Sequence, residues 1–209
     1  CSYKHYTHYN FSYCKILFTV VKMYRLIPLR TLRNTQKVKF HEMVPSDIPP
    51  IHGVDRVIHE PYASSPGPVE DCPNPVQRPW YMHPGQDDNL LVLQGERFVD
   101  IFCPNKKKLS SFIITPDKIY KNDKLYHDSP AMIVWPAGIF HRIVSGKDGS
   151  ISVNFSTRTK EFSLDDNFNI YDLDVLTGNS RLIREGIDDQ PDLRYIQTDQ
   201  TLKDILMSK

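Results

Sequence analysis

The stretch YMHPGQDDN, residues 81–89, sets a phenol, an imidazole, two amides and two carboxylates around a Pro84–Gly85 bend, with an apolar run behind it. Two readings compete for it. A wet surface turn needs only the proline, the glycine and polar neighbours. Alternation along strands instead puts Tyr81 and His83 on one side and, past the bend, Asp88, Leu90 and Val92 on one side of the next strand. If those sides meet, an imidazole and a carboxylate enter one apolar interior, where an isolated carboxylate is costly unless a cation or hydrogen bond compensates it. Gln86 or Asp87 takes the place of Asp88 after a slip of register, and a turn cap is the plainer role for Asp88.

A second stretch, AMIVWPAGIFHRIVSG (131–146), runs strand, Pro136–Gly138 turn, His141, strand, with Ile143 on the side of His141. Arg142 then faces away and reads as a surface or interface cation. His5, His8, His41, His52, His59 and His127 lack matched context and read as structural or surface residues. Trp80 and Trp135 read as packing. Ser145 and Asn154 read as strand-end residues, with hydrogen bonding at a cavity mouth as their alternative.

These residues must be held by strands. From Trp80 to Ser156 the chain is a series of short runs, LLVLQG, RFVDIF, SFIIT, AMIVWP, HRIVSG and ISVNFS, rich in Val, Ile and Phe and separated by turn residues. No long 3.6-residue period competes, so an all-β antiparallel sandwich or barrel is expected. NIYDLDVL (169–176) adds one strand, and TLKDILMS (201–208) reads as a short C-terminal helix. Nine of the 16 prolines fall between Pro45 and Pro79, where an extended, irregular wrap is expected, with VDRVI (54–58) as an edge strand.

Both stretches resemble the two signature motifs of the cupin superfamily. Its first motif has two histidines one residue apart, a glutamate five residues on and a glycine seven further; Tyr81, His83, Asp88 and Gly95 stand there. Its second has glycine, proline, glycine, histidine and often asparagine; Pro130, Pro136, Gly138, His141 and Ser145 stand there. The resemblance implies a single-domain, RmlC-like antiparallel jelly-roll barrel over 80–178, after an N-terminal extension (1–35) and the Pro-rich wrap (36–79), and before a C-terminal tail (179–209). Carried over residue by residue, it makes His83, Asp88 and His141 ligands of a divalent metal. Tyr81 becomes a hydrogen-bond donor beside it, the candidate catalytic residue. Two histidines and one carboxylate suit Fe(II) with open positions, and Mn, Ni, Co or Zn also fit. The expectation is an oxidoreductase of the dioxygenase kind acting on a small organic substrate. The alternatives are a non-redox metal-dependent isomerase or lyase, where the ion polarises a carbonyl, or a non-enzymatic binding module. A homodimer paired through barrel edges is the resemblance-based expectation.

Composition narrows the partners. The 209 residues carry 26 Lys plus Arg against 25 Asp plus Glu, a net charge of +1, so no whole-molecule field draws in nucleic acid or an anionic membrane. Lys106–Lys108 reads as a solvated loop. Cys1, Cys14, Cys72 and Cys103 show no paired spacing and read as free thiols in a cytoplasmic protein. ILFTVV (16–21) is too short for a membrane span or signal core, and Met23 reads as a natural start.

Overall fold

The structure, a computed structural model, describes residues 22–189. In chain order the strands are β1 (Arg25–Pro28), β2 (Arg30–Asn34), β3 (Lys39–Glu42), β4 (Gly53–His59), β5 (Ser64–Ser65), β6 (Trp80–Met82) and β7 (Gln86–Cys103). There follow β8 (Lys108–Ile114), β9 (Ile119–Lys121), β10 (Lys124–His127), β11 (Ala131–Trp135) and β12 (Phe140–Arg158). A single helical turn, α1 (Leu164–Asn167), precedes β13 (Ile170–Leu173) and β14 (Ser180–Arg184). The side chain of Ser163 caps α1 by accepting from the Asp165 N–H, 3.2 Å.

Strands β7 and β12 form the spine. They run antiparallel from the Phe140–Phe102 pair to the Arg158–Gln86 pair, and each changes its second neighbour along its length. β7 pairs with β11 at its start and β8 at its end, while β12 pairs with β6 and β5 at its start and β4 at its end. Strands that exchange neighbours this way fold the sheet over itself, giving the cupin-type jelly-roll barrel. Its interior is lined by alternate residues such as Val99, Ile101, Phe112, Ile114 and Ile133, all at most 2% exposed. Burying side chains of this kind contributes about 1.5–3 kcal/mol each. The other face of β7 and β11, with Leu91, Met132 and Val134, is covered by Ile27, Met43 and Ile48 from the N-terminal segments. Trp80, Phe102, Phe140 and Leu173 close the far side through β13.

The runs LLVLQG and RFVDIF, expected as two strands parted at Gly95, are one strand. Gly95 has φ +71° and Gly149 φ +70°; they sit where the β7–β12 register slips between Ser145 and Ser150. The left-handed residues make paired bulges that bend both strands without reversing either. HRIVSG and ISVNFS merge in β12 for the same reason. VDRVI lies in β4 as an edge partner of β12. Arg25–Pro28, inside the segment expected as an extension, pairs with Ala131–Val134. Strands β9 and β10 escaped the sequence reading; their Asn122–Asp123 turn, with both φ positive, is the signal that marks them. Cys72 and Cys103 are unpaired thiols. Cys1, Cys14, ILFTVV and the TLKDILMS helix lie outside the described residues, and none of the described helices is long and apolar enough to cross a membrane.

A β-carbon on Gly95 would stand 2.1 Å from the Gly149 carbonyl oxygen, whereas one on Gly138, φ +78°, meets nothing within 4 Å. Gly138→Ala should therefore cost only the left-handed backbone penalty, about 1–2 kcal/mol. Gly95→Ala adds a backbone collision and should cost more than about 3 kcal/mol or prevent folding. Urea unfolding of the two variants checks this; equal losses would show that Gly95 is not a packed bulge.

Candidate functional site

His83, Asp88 and His141 are brought together. They are 6%, 4% and 4% exposed, and their ligand atoms lie within 4.8 Å of one another. His83 follows β6, Asp88 lies in β7 opposite Trp135, and His141 lies in β12 opposite Tyr81. The two Pro-Gly turns are joined directly: the Gly138 N–H donates to the His83 carbonyl at 2.9 Å, and the Ala137 N–H to Asp87 Oδ1 at 2.8 Å. Asp87 thus clamps the second turn, and the alternation that turns it out turns Asp88 in.

The hydrogen bonds around the cluster fix which atoms face its centre. Asp88 Oδ1 accepts from Gln86 Nε2 at 3.0 Å and Asn154 Nδ2 at 2.9 Å. Both amides are oriented from behind, because Gln86 Oε1 accepts from Arg158 Nε and Asn154 Oδ1 from the Asn89 N–H. Asp88 Oδ2 is left to the histidines, 3.3 Å from His83 Nε2 and 3.6 Å from His141 Nε2. His83 Nδ1 donates to the Asn167 carbonyl, and His141 Nδ1 lies 3.5 Å from the Ile139 carbonyl. A carbonyl only accepts, so the proton of each ring belongs on Nδ1 and each Nε2 lone pair points at the carboxylate oxygen.

Three lone-pair donors facing each other repel unless a cation lies between them. A proton is one solution. Burial alone would lower the pKa of His83, but the charge and hydrogen bond of Asp88, with the Asn167 carbonyl, raise it above 6.5. Burial would raise that of Asp88, yet the two histidines and Gln86 hold it well below the usual carboxylate range. His141, buried and beside a charged His83, falls to about 4. The shorter contact to Asp88 makes His83 the favoured holder of such a proton. A divalent ion is the other solution. At bond lengths of about 2.0–2.2 Å, neighbouring ligand atoms around one ion stand roughly 3.0–3.5 Å apart. The 3.3 Å separation falls in this range and the 3.6 Å one just beyond it, while the three ligand atoms as a set lie within 4.8 Å, so an ion would draw them closer; the carbonyl-held Nδ1–H groups are the usual outer support of metal-binding imidazoles.

The cluster borders a cavity of about 150 Å³ whose other walls include Val57, Leu90, Ile143, Trp135 and Phe168. Tyr81 lines it, its ring centroid 6.2 Å from that of His83 and 6.0 Å from that of His141. Burial raises the Tyr81 pKa, so its phenol stays protonated. Arg142 faces outward as expected, donating to Asp100 Oδ2 at 2.9 Å and stacking 4.2 Å over Trp80. Ser145 has a structural role: its hydroxyl donates to the Glu60 carbonyl and accepts from the Ala63 N–H. Asn154, whose strand-end role was preferred, instead holds Asp88. His59, read as a structural or surface residue, lines the cavity.

Gln86, weighed as a stand-in for Asp88, instead holds it by a hydrogen bond; Arg97, Asn167 and Phe168 were missed. Gln86 had a signal, since it lies two residues from Asp88 on the same face. Asn167 and Arg97 had none, because they reach the site from distant segments.

No family model and no curated protein matches the chain. Solved structures of similar shape include a TDP-quinovose 3,4-ketoisomerase from Campylobacter jejuni, at 10% identity over 68% of this chain and 91% of that one, TM-score 0.45. A 4-keto-6-deoxy sugar epimerase of the Streptomyces spheroides novobiocin cluster shares 13% identity over 68% and 67%, TM-score 0.47. A sugar 3,4-ketoisomerase from Thermoanaerobacterium thermosaccharolyticum shares 13% over 66% and 83%, TM-score 0.43. The architecture is cupin-type on the strength of this chain's own strand exchange and of its paired Pro-Gly turns.

Divalent-metal titration with elemental analysis should give stoichiometric uptake by the wild type and none by His83→Ala or His141→Ala. Uptake displaces the His83 proton, so apparent affinity should rise with pH, by about tenfold per unit below the His83 pKa, and level off above it. Uptake that is independent of pH, or retained in both variants, would place the ion elsewhere.

Proposed function

We propose that this protein is a metal-dependent, non-redox isomerase or lyase acting on a small carbonyl compound in the barrel cavity. The observation that supports it is the convergence of two imidazole Nε2 atoms and one carboxylate oxygen beside an apolar cavity. When bound there, a divalent cation supplies Lewis-acid polarisation of a carbonyl oxygen. His83, Asp88 and His141 would hold it on one side and leave the cavity side open. The carboxylate cancels only one of its two charges, so the remainder favours an oxygen ligand with enolate character.

Tyr81 favours the non-redox reading over the oxygen-dependent one. A carbonyl isomerase or lyase needs a proton carrier next to the reacting carbons, and Tyr81 is a protonated phenol beside both imidazoles. Tyr81 would donate its Oη proton to the developing enolate oxygen and take it back as the carbonyl re-forms, while a solvent base at the open side of the cavity removes the α-proton and solvent returns one to carbon. Phe168 and Trp135 would exclude water from the enclosed part of the ligand. The three solved structures of similar shape are also named as isomerases or epimerases, but the proposal stands on the residues of this chain.

Deuterium exchange into a panel of small enolisable ketones and oxo acids, followed by NMR, tests the reading. With Zn- or Mn-loaded protein kept free of oxygen, we expect at least one compound to exchange. Tyr81→Phe should slow that exchange by about 10²-fold or more with metal content unchanged. Turnover only with Fe(II), accompanied by oxygen consumption, would establish the dioxygenase instead. Ligand binding that survives chelation with no exchange in any compound would leave a binding module.

A further inference from the structure

Apart from the His-His-Asp cluster, the cavity holds a buried charge that has no counter-ion. Arg97 on β7 is 2% exposed and lines the same cavity as the His-His-Asp cluster. Its Nε donates to Ser150 Oγ at 3.0 Å and its Nη2 to the Val57 carbonyl at 3.4 Å, both neutral acceptors. Among the described residues no carboxylate pairs with it, and burial draws its pKa down to about 10. A guanidinium has five N–H donors in a planar fork, so most of its capacity is unspent.

Other unpartnered groups lie around the same space. His59 Nδ1 and Trp135 Nε1 are buried without a partner, and both residues line the cavity. His59, kept neutral at about pKa 4 by burial and by the Arg97 charge, offers no negative charge to the guanidinium. A buried cation with neutral partners weakens a fold unless an anion joins it. Val57, Leu90 and Ile143 supply the apolar wall, and about 150 Å³ is the volume of a cavity that holds one benzene-sized ring. Asp55 and Asp88 also line the space, so one added cation suits a monoanion better than a phosphate dianion.

We propose that Arg97 is the specificity-determining anchor of this cavity and binds the carboxylate of a small organic acid about one ring in size. That the far end of the acid lies at His83, Asp88 and His141 rests on the function proposed above; the anion subsite itself does not.

Thermal unfolding of the full chain, stripped of metal with a chelator, tests the anchor separately from the metal. The probes are benzoate, cyclohexanecarboxylate, benzamide and inorganic phosphate. We expect at least one of the two carboxylates to raise Tm in a dose-dependent way and benzamide and phosphate to leave it unchanged. Arg97→Met should abolish the shift while its ligand-free Tm equals or exceeds that of the wild type, since an unpaired buried charge is gone. Arg97→Lys, which keeps the charge and loses the fork, should bind at least about tenfold more weakly. The proposal is overturned if neither carboxylate shifts Tm, if benzamide or phosphate does so equally, or if the shift survives in Arg97→Met. A collapsed Arg97→Met with full carboxylate binding in Arg97→Lys would likewise reduce Arg97 to a structural residue. A positive result stands even if metal uptake fails.

Discussion

An ionised carboxylate fully buried in a β barrel is the constraint around which this molecule is arranged. Asp88 is tolerated there because each of its oxygens is answered: two amide N–H groups on Oδ1 and, at Oδ2, a cation shared with the two imidazoles, the His83 proton or a metal ion. Removing any one partner would leave a charge in an apolar interior, a change that costs several kcal/mol in proteins generally. The arrangement draws on β6, β7, β12 and the α1 segment at once, so the site and the closure of the barrel depend on each other. The direct bond between the two Pro-Gly turns is where that dependence is mechanical: the carbonyl of His83 is the acceptor that holds the turn before His141.

Charge is distributed in the cavity rather than concentrated. Asp55 is held by Ser156 and Asn154, and the same Asn154 amide reaches Asp88, so the two carboxylates share one neutral donor. Arg97 stands among the cavity residues with its fork largely open. A site with a cation-seeking cluster, an open guanidinium and apolar walls between is suited to a ligand that is polar at both ends and hydrocarbon in the middle.

Legibility in the sequence followed the range of the interactions. The strand content, the edge strand β4 and the inward faces of His83, Asp88 and His141 were readable because alternation and Pro-Gly spacing are local. The continuous strands β7 and β12 were not, because a glycine at positive φ serves a reverse turn or a bulge equally well, and only the facing Gly149 decides for Gly95. Asn154 and Asn167 were illegible as supports for the same kind of reason: each meets its partner in the cluster across 66 or more positions. His59 and Arg97 looked like ordinary polar positions, and only the barrel turns them inward.

The central claim is that both histidines carry their protons on Nδ1 and offer Nε2 to a shared cation beside Asp88. Long-range ¹H–¹⁵N NMR of the histidine side chains, before and after adding Zn, reads this directly. We expect the Nδ1 protons of both rings to persist throughout, the Nε2 proton of His83 to be lost on Zn addition, and both Nε2 resonances to move together. A proton that stays on either Nε2 in the presence of excess Zn, or Nε2 resonances that do not move, would contradict the account.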